Sequence, residues 1–236
     1  MARIKGALAA AAMAAATAAC AESGQFEVSF GGLKAGVLAY DASLSGGRYE
    51  MRGAVRPGGL FGLLFDAEID STAKGRVSGN TYRPSLARET TRKDGDTSTR
   101  TITYRGGVPS VSYDPPDKPS KHAAPPSEQK GTVDTSTAAF AILRDRPESL
   151  ACQLDLVLYD GTRRQRIRLD EAQQRPGGLS CTGVYTRLAG FSPKDMAKGR
   201  DWPLRMDYDR LSDGTYRVRE VSFPTSFGTA RIRRTD

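Results

Sequence analysis

The sequence predicts a mainly β protein, an antiparallel meander that curls into a sandwich or an open barrel and carries one short helix. Three observations support this prediction. Apolar residues recur at every second position in most segments, as in strands with one buried face. Asp-Gly or Gly-Gly pairs separate these segments at hairpin spacing. One proline-rich segment, residues 114–126, interrupts the pattern and is followed by a helix signal.

Three hairpins and three further strands are predicted in order along the chain. The hairpins pair residues 37–44 with 49–55, 87–92 with 97–104, and 152–159 with 163–170. Their turns contain Gly46-Gly47, Asp94-Gly95 and Asp160-Gly161, which tolerate the positive φ of tight turns. Residues 204–209, 215–223 and 227–234 complete the meander.

The break in the strand pattern predicts a surface loop and then the helix. Residues 114–126 contain five prolines and His122, the single histidine, so this segment is stiff and short of backbone donors. Asp134, Thr135 and Ser136 offer helix caps before the apolar residues 138–143, and Pro147 ends the run. We expect this helix to lie on the sheet.

Residues 1–21 predict an export signal. Arg3 and Lys5 precede residues 6–19, an apolar run shorter than the roughly 20 residues of a membrane span. The end of the run fits cleavage before Glu22. It also resembles a lipobox that would lipidate Cys20, although Thr17 stands where Leu, Val or Ile is usual. Removing residues 1–21 lowers the formal net charge from +8 to +6 and leaves one β-rich domain, residues 22–236, which we expect in the periplasm.

The cysteines agree with export. Once Cys20 is cleaved off or lipidated, Cys152 and Cys181 remain, an even number in an oxidising compartment. A disulfide between them would close a loop of about 30 residues and stabilise the fold by roughly 3–4 kcal/mol. The alternative is two buried free thiols. Two cysteines and one distant histidine do not complete a zinc site, so we expect no metal and no cofactor.

Several motifs together resemble one family of exported bacterial proteins. They are residues 131–138 (GTVDTSTA) after the proline-rich loop, residues 158–164 (LYDGTRR), Cys181 with Tyr185 and Ala189-Gly190, residues 36–38 and 53–55, and a turn at 82–84. The pattern resembles domain of unknown function family 3108 over nearly the whole mature chain, although the family usually has a proline where Thr135 stands. The resemblance implies a β-rich envelope protein, a curved open barrel or half-barrel like those that carry lipids across the periplasm.

Arginines alternate with other residues along three predicted strands. They are Arg164, Arg166 and Arg168 on the first, Arg217 and Arg219 on the second, and Arg231 and Arg233 on the third. If these strands are neighbours, their guanidinium groups form one basic wall suited to phosphate or carboxylate. The hypothesis is that Arg164, Arg166, Arg168, Arg217 and Arg219 bind head groups. The alternative is an ordinary charged face, paired with acids such as Asp155, Glu171 and Glu220.

Three other groups of side chains offer alternative sites. Asp66, Glu68 and Asp70 alternate on one strand face, where an acid–base pair could form, although such faces are usually solvated or paired with arginine. His122 is the only imidazole available to a serine or cysteine hydrolase. Ten large apolar residues fill a core or line a concave pocket: Phe61, Leu63, Leu64, Phe65, Tyr104, Tyr113, Phe140, Trp202, Tyr208 and Phe223.

We therefore predict a non-enzymatic envelope protein that binds a lipid or other amphiphile on its concave face, with arginines meeting head groups or an anionic membrane. The first alternative is an interaction module that binds a protein or a cell-wall polymer. The second is an envelope hydrolase that uses carboxylates such as Asp66, Glu68 or Asp134, the last of which is otherwise a helix cap. Nucleic acid is not an expected partner, because export separates the chain from it.

Overall fold

The computed structural model describes residues 20–59, 67–118, 120–225 and 228–236. Strands make up most of them: β1 Cys20–Phe30, β2 Leu33–Ser45, β3 Arg48–Pro57, β4 Ala67–Ser78, β5 Thr81–Lys93, β6 Asp96–Arg105, β7 Val108–Asp114, β8 Arg146–Pro147, β9 Asp155–Tyr159, β10 Arg164–Arg175, β11 Gly178–Ala189, β12 Asp201–Arg210, β13 Thr215–Thr225 and β14 Gly228–Arg234. The helices are α1 Thr135–Leu143, α2 Glu148–Ala151 and α3 Pro193–Met196, with a 3-10 turn at Pro126–Glu128.

All the strands belong to one curved antiparallel sheet. Its order is β7-β6-β5-β4-β3-β2-β1-β14-β13-β12-β11-β10-β9, and the short β8 pairs with β13. Two meanders, β1 to β7 and β9 to β14, meet where β1 pairs with β14. Because β7 and β9 end the path without pairing with each other, the sheet is an open barrel, as predicted.

The predicted hairpins are confirmed, and the Asp94-Gly95 turn shows why the sequence identifies them. Asp94 has φ 52° and Gly95 has φ 86°, the two positive values that a type I′ turn requires. The predicted turn at 82–84 is wrong, since these residues lie within β5. Pro84 is opposite Gly75, beside a β-bulge between β4 and β5, and bulges are among the places where sheets tolerate proline.

The structure describes only the last two residues of the predicted export signal, Cys20 and Ala21. Residues 1–19 lie outside the described part of the chain, and β1 begins at Cys20. Strand β1 itself is not predicted, because its sequence CAESGQFEVSF carries few apolar residues. None of the described helices is long and apolar enough to cross a membrane.

Helix α1 lies inside the curve of the sheet and packs against strands of both meanders. Asp134 caps the helix as predicted, because its carboxylate accepts hydrogen bonds from the Thr137 backbone N–H (2.8 Å) and hydroxyl (2.7 Å). Phe140 is fully buried, with its ring 5.0 Å from that of Tyr49 and 6.2 Å from that of Tyr82. The helix contacts β3, β4, β5, β9 and β13, so it is part of the core and does not simply lie on the sheet.

Two arginines close the other end of α1. Arg146 is only 1% exposed, and its guanidinium donates to the carbonyl of Ala141 in the last turn. Arg144 donates to the Gly79 carbonyl (2.8 Å) and lies over the Tyr82 ring at 5.4 Å. Cations at a helix C-terminus complement the helix dipole, just as Asp134 does at the N-terminus. The buried helix therefore has a charged partner at each end.

The predicted disulfide is confirmed. Cys152 and Cys181 are bonded, with their Cα atoms 5.4 Å apart, and both residues are buried. The prediction that Cys152 begins a strand is wrong, since it follows α2 and β9 begins only at Asp155. The bond attaches the segment between α1 and β9 to β11, the third strand from the β9 edge of the sheet.

The segment after the proline-rich loop lies between the two open edges of the sheet. The Gly131 N–H donates to the carbonyl of Gly107, between β6 and β7, and the Val133 N–H donates to that of Val157 on β9, both at 2.9 Å. Ala124 in the proline-rich loop and Gln129 just after it are buried. Val133 pairs with β9 and thus covers part of an edge that would otherwise expose unpaired backbone groups.

Candidate functional site

A band of half-buried apolar side chains lies on the concave face beyond α1. Ile167 precedes the buried Leu169 by two positions and Trp202 precedes Leu204 by two, so strand alternation directs them to the core side. The strand register joins them as Leu38–Val55–Ile69, Ile167–Tyr185–Trp202 and Val221–Ile232, with Phe223 opposite Ala230. We name these nine residues the open concave patch: Leu38, Val55, Ile69, Ile167, Tyr185, Trp202, Val221, Phe223 and Ile232.

An alternating stack of arginines and aromatic rings borders this patch. The Arg163 guanidinium lies 5.3 Å from the Phe191 ring, and the Arg187 guanidinium lies 5.2 Å from the rings of both Phe191 and Trp202. We name these four residues the rim ladder. Trp202 Nε1 and Arg187 Nε are buried but have no hydrogen-bond partner within the described residues. Buried polar atoms normally have a hydrogen-bond partner, and the described residues supply none to these two.

The predicted apolar residues divide between the core and this face. Phe140 and Tyr208 are fully buried and contribute to the core, while Tyr104, Tyr113, Trp202 and Phe223 are half-buried. Phe61, Leu63, Leu64 and Phe65 lie outside the described residues. Arg163 and Arg187 are missed from sequence, because the contacts Arg163–Phe191 and Arg187–Trp202 join different segments of the chain that only the pairing of strands brings together.

The predicted arginines do not form one wall. Strands β13 and β14 are neighbours, so Arg217, Arg219, Arg231 and Arg233 share one region, but β10 is separated from β13 by β11 and β12. Arg164, Arg166 and Arg168 therefore lie about three strand spacings, roughly 14 Å, from Arg217 and Arg219. One basic wall requires all three strands to be neighbours, and only β13 and β14 are neighbours.

Most of these arginines are paired with carboxylates. Arg166 binds Asp155 and Arg168 binds Asp170 on the β9–β10 side of the sheet. The others bind acids close to them: Arg217 with Asp145, Arg219 with Asp207 and Asp209, and both Arg231 and Arg233 with Glu220. Hydrogen bonds from Arg166 lower the pKa of Asp155 below its usual value. These ion pairs balance the arginine charges with nearby carboxylates. The arrangement matches the alternative considered from the sequence, an ordinary charged strand face.

The predicted carboxylates also have structural partners. Asp70 accepts hydrogen bonds from Arg56 (2.5 Å) and Arg92 (2.6 Å), and these bonds lower its pKa. Glu68 lies 3.7 Å from Arg56 and 3.5 Å from Arg92, and Asp66 is outside the described residues. Asp134 is enclosed at the start of α1, where burial raises the pKa of its carboxyl. Asp134 lies in the interior, away from Glu68 and Asp70, which face outward on β4.

Two further depressions are visible in the described structure. One, of about 470 Å³, lies beside the seam between β7 and β9 and is lined by Tyr113, Tyr159 and residues of the proline-rich loop. The other, of about 310 Å³, is on the outer face of β2 to β5. His122 lies in the proline-rich loop, half-buried. No group of three His, Cys, Asp or Glu side chains that could hold a metal occurs in the described ranges.

Comparisons with known proteins identify the family but not an activity. A family model described as "Protein of unknown function (DUF3108)" matches residues 25–177. No curated protein matches the chain. Among solved structures, the chain is similar to a β-barrel-like protein of domain of unknown function DUF1849 from Brucella abortus, with 13% identity, a TM-score of 0.45, and coverage of 91% of this chain and 95% of that one.

Proposed function

Since the chain belongs to the DUF3108 family, whose description assigns no activity, we propose from the geometry that it is a non-enzymatic protein that binds a lipid or other amphiphile. The observation that supports this proposal is the open concave patch. Nine apolar side chains remain half-buried on the face of the sheet that carries the buried core and α1. An acyl chain is a ligand that would complete their burial.

The rim ladder suggests how the ligand is oriented. An acyl chain on the patch would place its polar end beside Trp202, at the border of the apolar surface. There Arg163 and Arg187 supply positive charge, and Arg187 Nε and Trp202 Nε1 supply unused donors. Guanidinium groups bind carboxylate and phosphate well, so we propose an anionic head group.

The first experiment measures binding of dansyl-undecanoic acid by energy transfer from Trp202, the single tryptophan. Phe223→Glu places a charge in the patch, and Ser222→Glu places the same charge on the other face of the same strand. We expect at least about ten-fold weaker binding for Phe223→Glu, because a buried charge beside apolar groups is costly, and little change for Ser222→Glu. Equal affinities of both variants and the parent protein would refute the proposal.

The second experiment tests the rim ladder. Arg187→Gln removes the charge near Trp202, and thermal melts check that the fold survives. We expect weaker binding of dansyl-undecanoic acid but unchanged binding of the corresponding uncharged alcohol. Loss of both ligands to the same degree would show that Arg187 only supports the local structure.

The location of the protein outside the cytoplasm rests on the Cys152–Cys181 disulfide, since such bonds persist in oxidising compartments. We propose export to the periplasm through the signal at residues 1–21. Mass spectrometry of the N-terminus after purification from the cell envelope tests this. A chain starting at Glu22 supports soluble export, a lipid-modified Cys20 supports the lipoprotein alternative, and an intact N-terminus contradicts both.

One observation favours the interaction module instead. Helix α1 and its aromatic neighbours are buried inside the concave side, which reduces the room for a ligand. The test is to purify the protein from its own envelope and identify what remains bound. A stoichiometric protein partner without any amphiphile would favour the interaction module. Loss of binding to that partner in the double variant Arg164→Glu with Arg166→Glu would support it further.

A further inference from the structure

We propose that the outer face of β3, β4 and β5 is a docking surface for an anionic phospholipid bilayer. The surface consists of six exposed basic residues, here named the basic patch: Arg48, Arg52, Lys74, Arg76, Arg83 and Arg88. It lies on the opposite side of the sheet from the open concave patch, so the proposal does not depend on the amphiphile-binding function.

The strand register places like charges side by side in this patch. Arg48 is directly opposite Arg76, and Arg76 is directly opposite Arg83, which makes a row of three arginines across three strands. Residues directly opposite have Cβ atoms about 5 Å apart, and like charges at that distance destabilise a sheet. In a second row, Arg52 and Arg88 both lie opposite Thr72 and line the groove of about 310 Å³ on this face.

In the part of the chain that the structure describes, the charges of the basic patch are not balanced by ion pairs with carboxylates, unlike those of most arginines on β10 and β13. Within the described residues, none of its six members makes an ion pair, whereas Arg166, Arg168, Arg217 and Arg219 all do. Four carboxylates of the described residues share this outer face. Glu68 and Asp70 are paired with Arg56 and Arg92. Glu50 opposite Lys74 and Asp41 opposite Arg52 come within ion-pair distance of no described basic group. The patch therefore has a net positive charge that an external anion could balance.

The composition of the patch favours a lipid surface over a protein partner. Stable protein interfaces contain aromatic or aliphatic anchors, and β3, β4 and β5 carry no exposed large apolar side chain within the described residues. An array of phosphates matches a row of guanidinium groups, each of which binds phosphate oxygens in a bidentate manner.

The entry point of the chain also favours a membrane. Cys20, the first described residue, is opposite Leu44 on β2, and the next residue, Ser45, is opposite Arg48. The chain therefore enters the sheet at the end that carries the arginine row, and the sequence before Cys20 is the apolar run of residues 6–19. A lipid attached at Cys20 would hold the protein by this same end.

The test is co-flotation of the full chain with vesicles of equal parts phosphatidylglycerol and phosphatidylcholine, compared with phosphatidylcholine alone. Arg76→Gln with Arg83→Gln removes two charges from the patch. Arg231→Gln with Arg233→Gln removes two charges that Glu220 already balances, so it is the matched control. Thermal melts verify that both variants are folded.

We expect binding to the anionic vesicles only, weakened by added salt, since exposed charges are screened beyond about 10 Å at 0.1 M. Each basic residue near an anionic membrane contributes about five-fold in affinity, so the patch variant should bind about 25-fold more weakly and the control variant nearly normally. Equal losses in both variants would show that only net charge matters and would overturn the proposal. Binding to polyglutamate beads but not to vesicles would also overturn it, in favour of an acidic polymer.

Discussion

Replacing Phe140 by alanine tests whether α1 is an integral part of the core. Truncating a buried Phe to Ala costs about 3–5 kcal/mol. Phe140 is fully buried and makes ring contacts with Tyr49 and Tyr82, each worth about 0.5–1.5 kcal/mol beyond its buried area. We therefore expect a loss near the upper end of that range, about 4–5 kcal/mol. This is a large share of the roughly 5–15 kcal/mol that stabilises a typical domain.

The assay is equilibrium urea unfolding followed by circular dichroism, with the disulfide intact. With a slope of about 2 kcal/mol per molar urea, the midpoint should fall by about 2 M. Phe191→Ala is the control, because Phe191 is half-buried and contacts mainly guanidinium groups; its loss should be about 1 kcal/mol. If Phe140→Ala costs no more than Phe191→Ala, α1 does not fill the concave side and the description of the core is incorrect.

Three more predictions concern stability. Replacing Cys152 and Cys181 by alanine should lower the free energy of unfolding by about 3–4 kcal/mol, measured by urea unfolding against the oxidised parent. Asp134→Ala should lower the free energy of unfolding by about 1–2 kcal/mol, because it removes the cap of α1. Asp134→Asn should cost less, because the amide can keep the cap and carries no buried charge, and burial already raises the pKa of the Asp134 carboxyl. Equal losses in the two variants would contradict this. The pKa of Asp70 is lowered by Arg56 and Arg92, so its ionised form stabilises the fold above the unfolded pKa of about 3.9, and that contribution disappears as the pH falls through the lower folded pKa. Melting temperatures between neutral pH and acid should accordingly fall less for Asp70→Asn than for the parent protein.

The candidate site shows where sequence reasoning succeeds and where it stops. Alternation correctly assigns Trp202 and Phe223 to a strand face that points inward, because alternation is a local property of extended backbone. It cannot show that Arg187 lies over Trp202, since that contact depends on which strands are neighbours. It also identifies Arg166 and Arg168 as a basic surface, although Asp155 and Asp170 neutralise them.

By itself, the sequence determined the three hairpins, the cap at Asp134 and the pairing of Cys152 with Cys181. These features depend on local backbone preferences or on having only two cysteines in residues 22–236. The tertiary structure alone decided that α1 packs inside the concave side and that Arg48, Arg76 and Arg83 form, among the described residues, a row without ion pairs. The physical reason is register: a charge is balanced or unbalanced according to the residue opposite it on the next strand, and that residue is far away in the sequence.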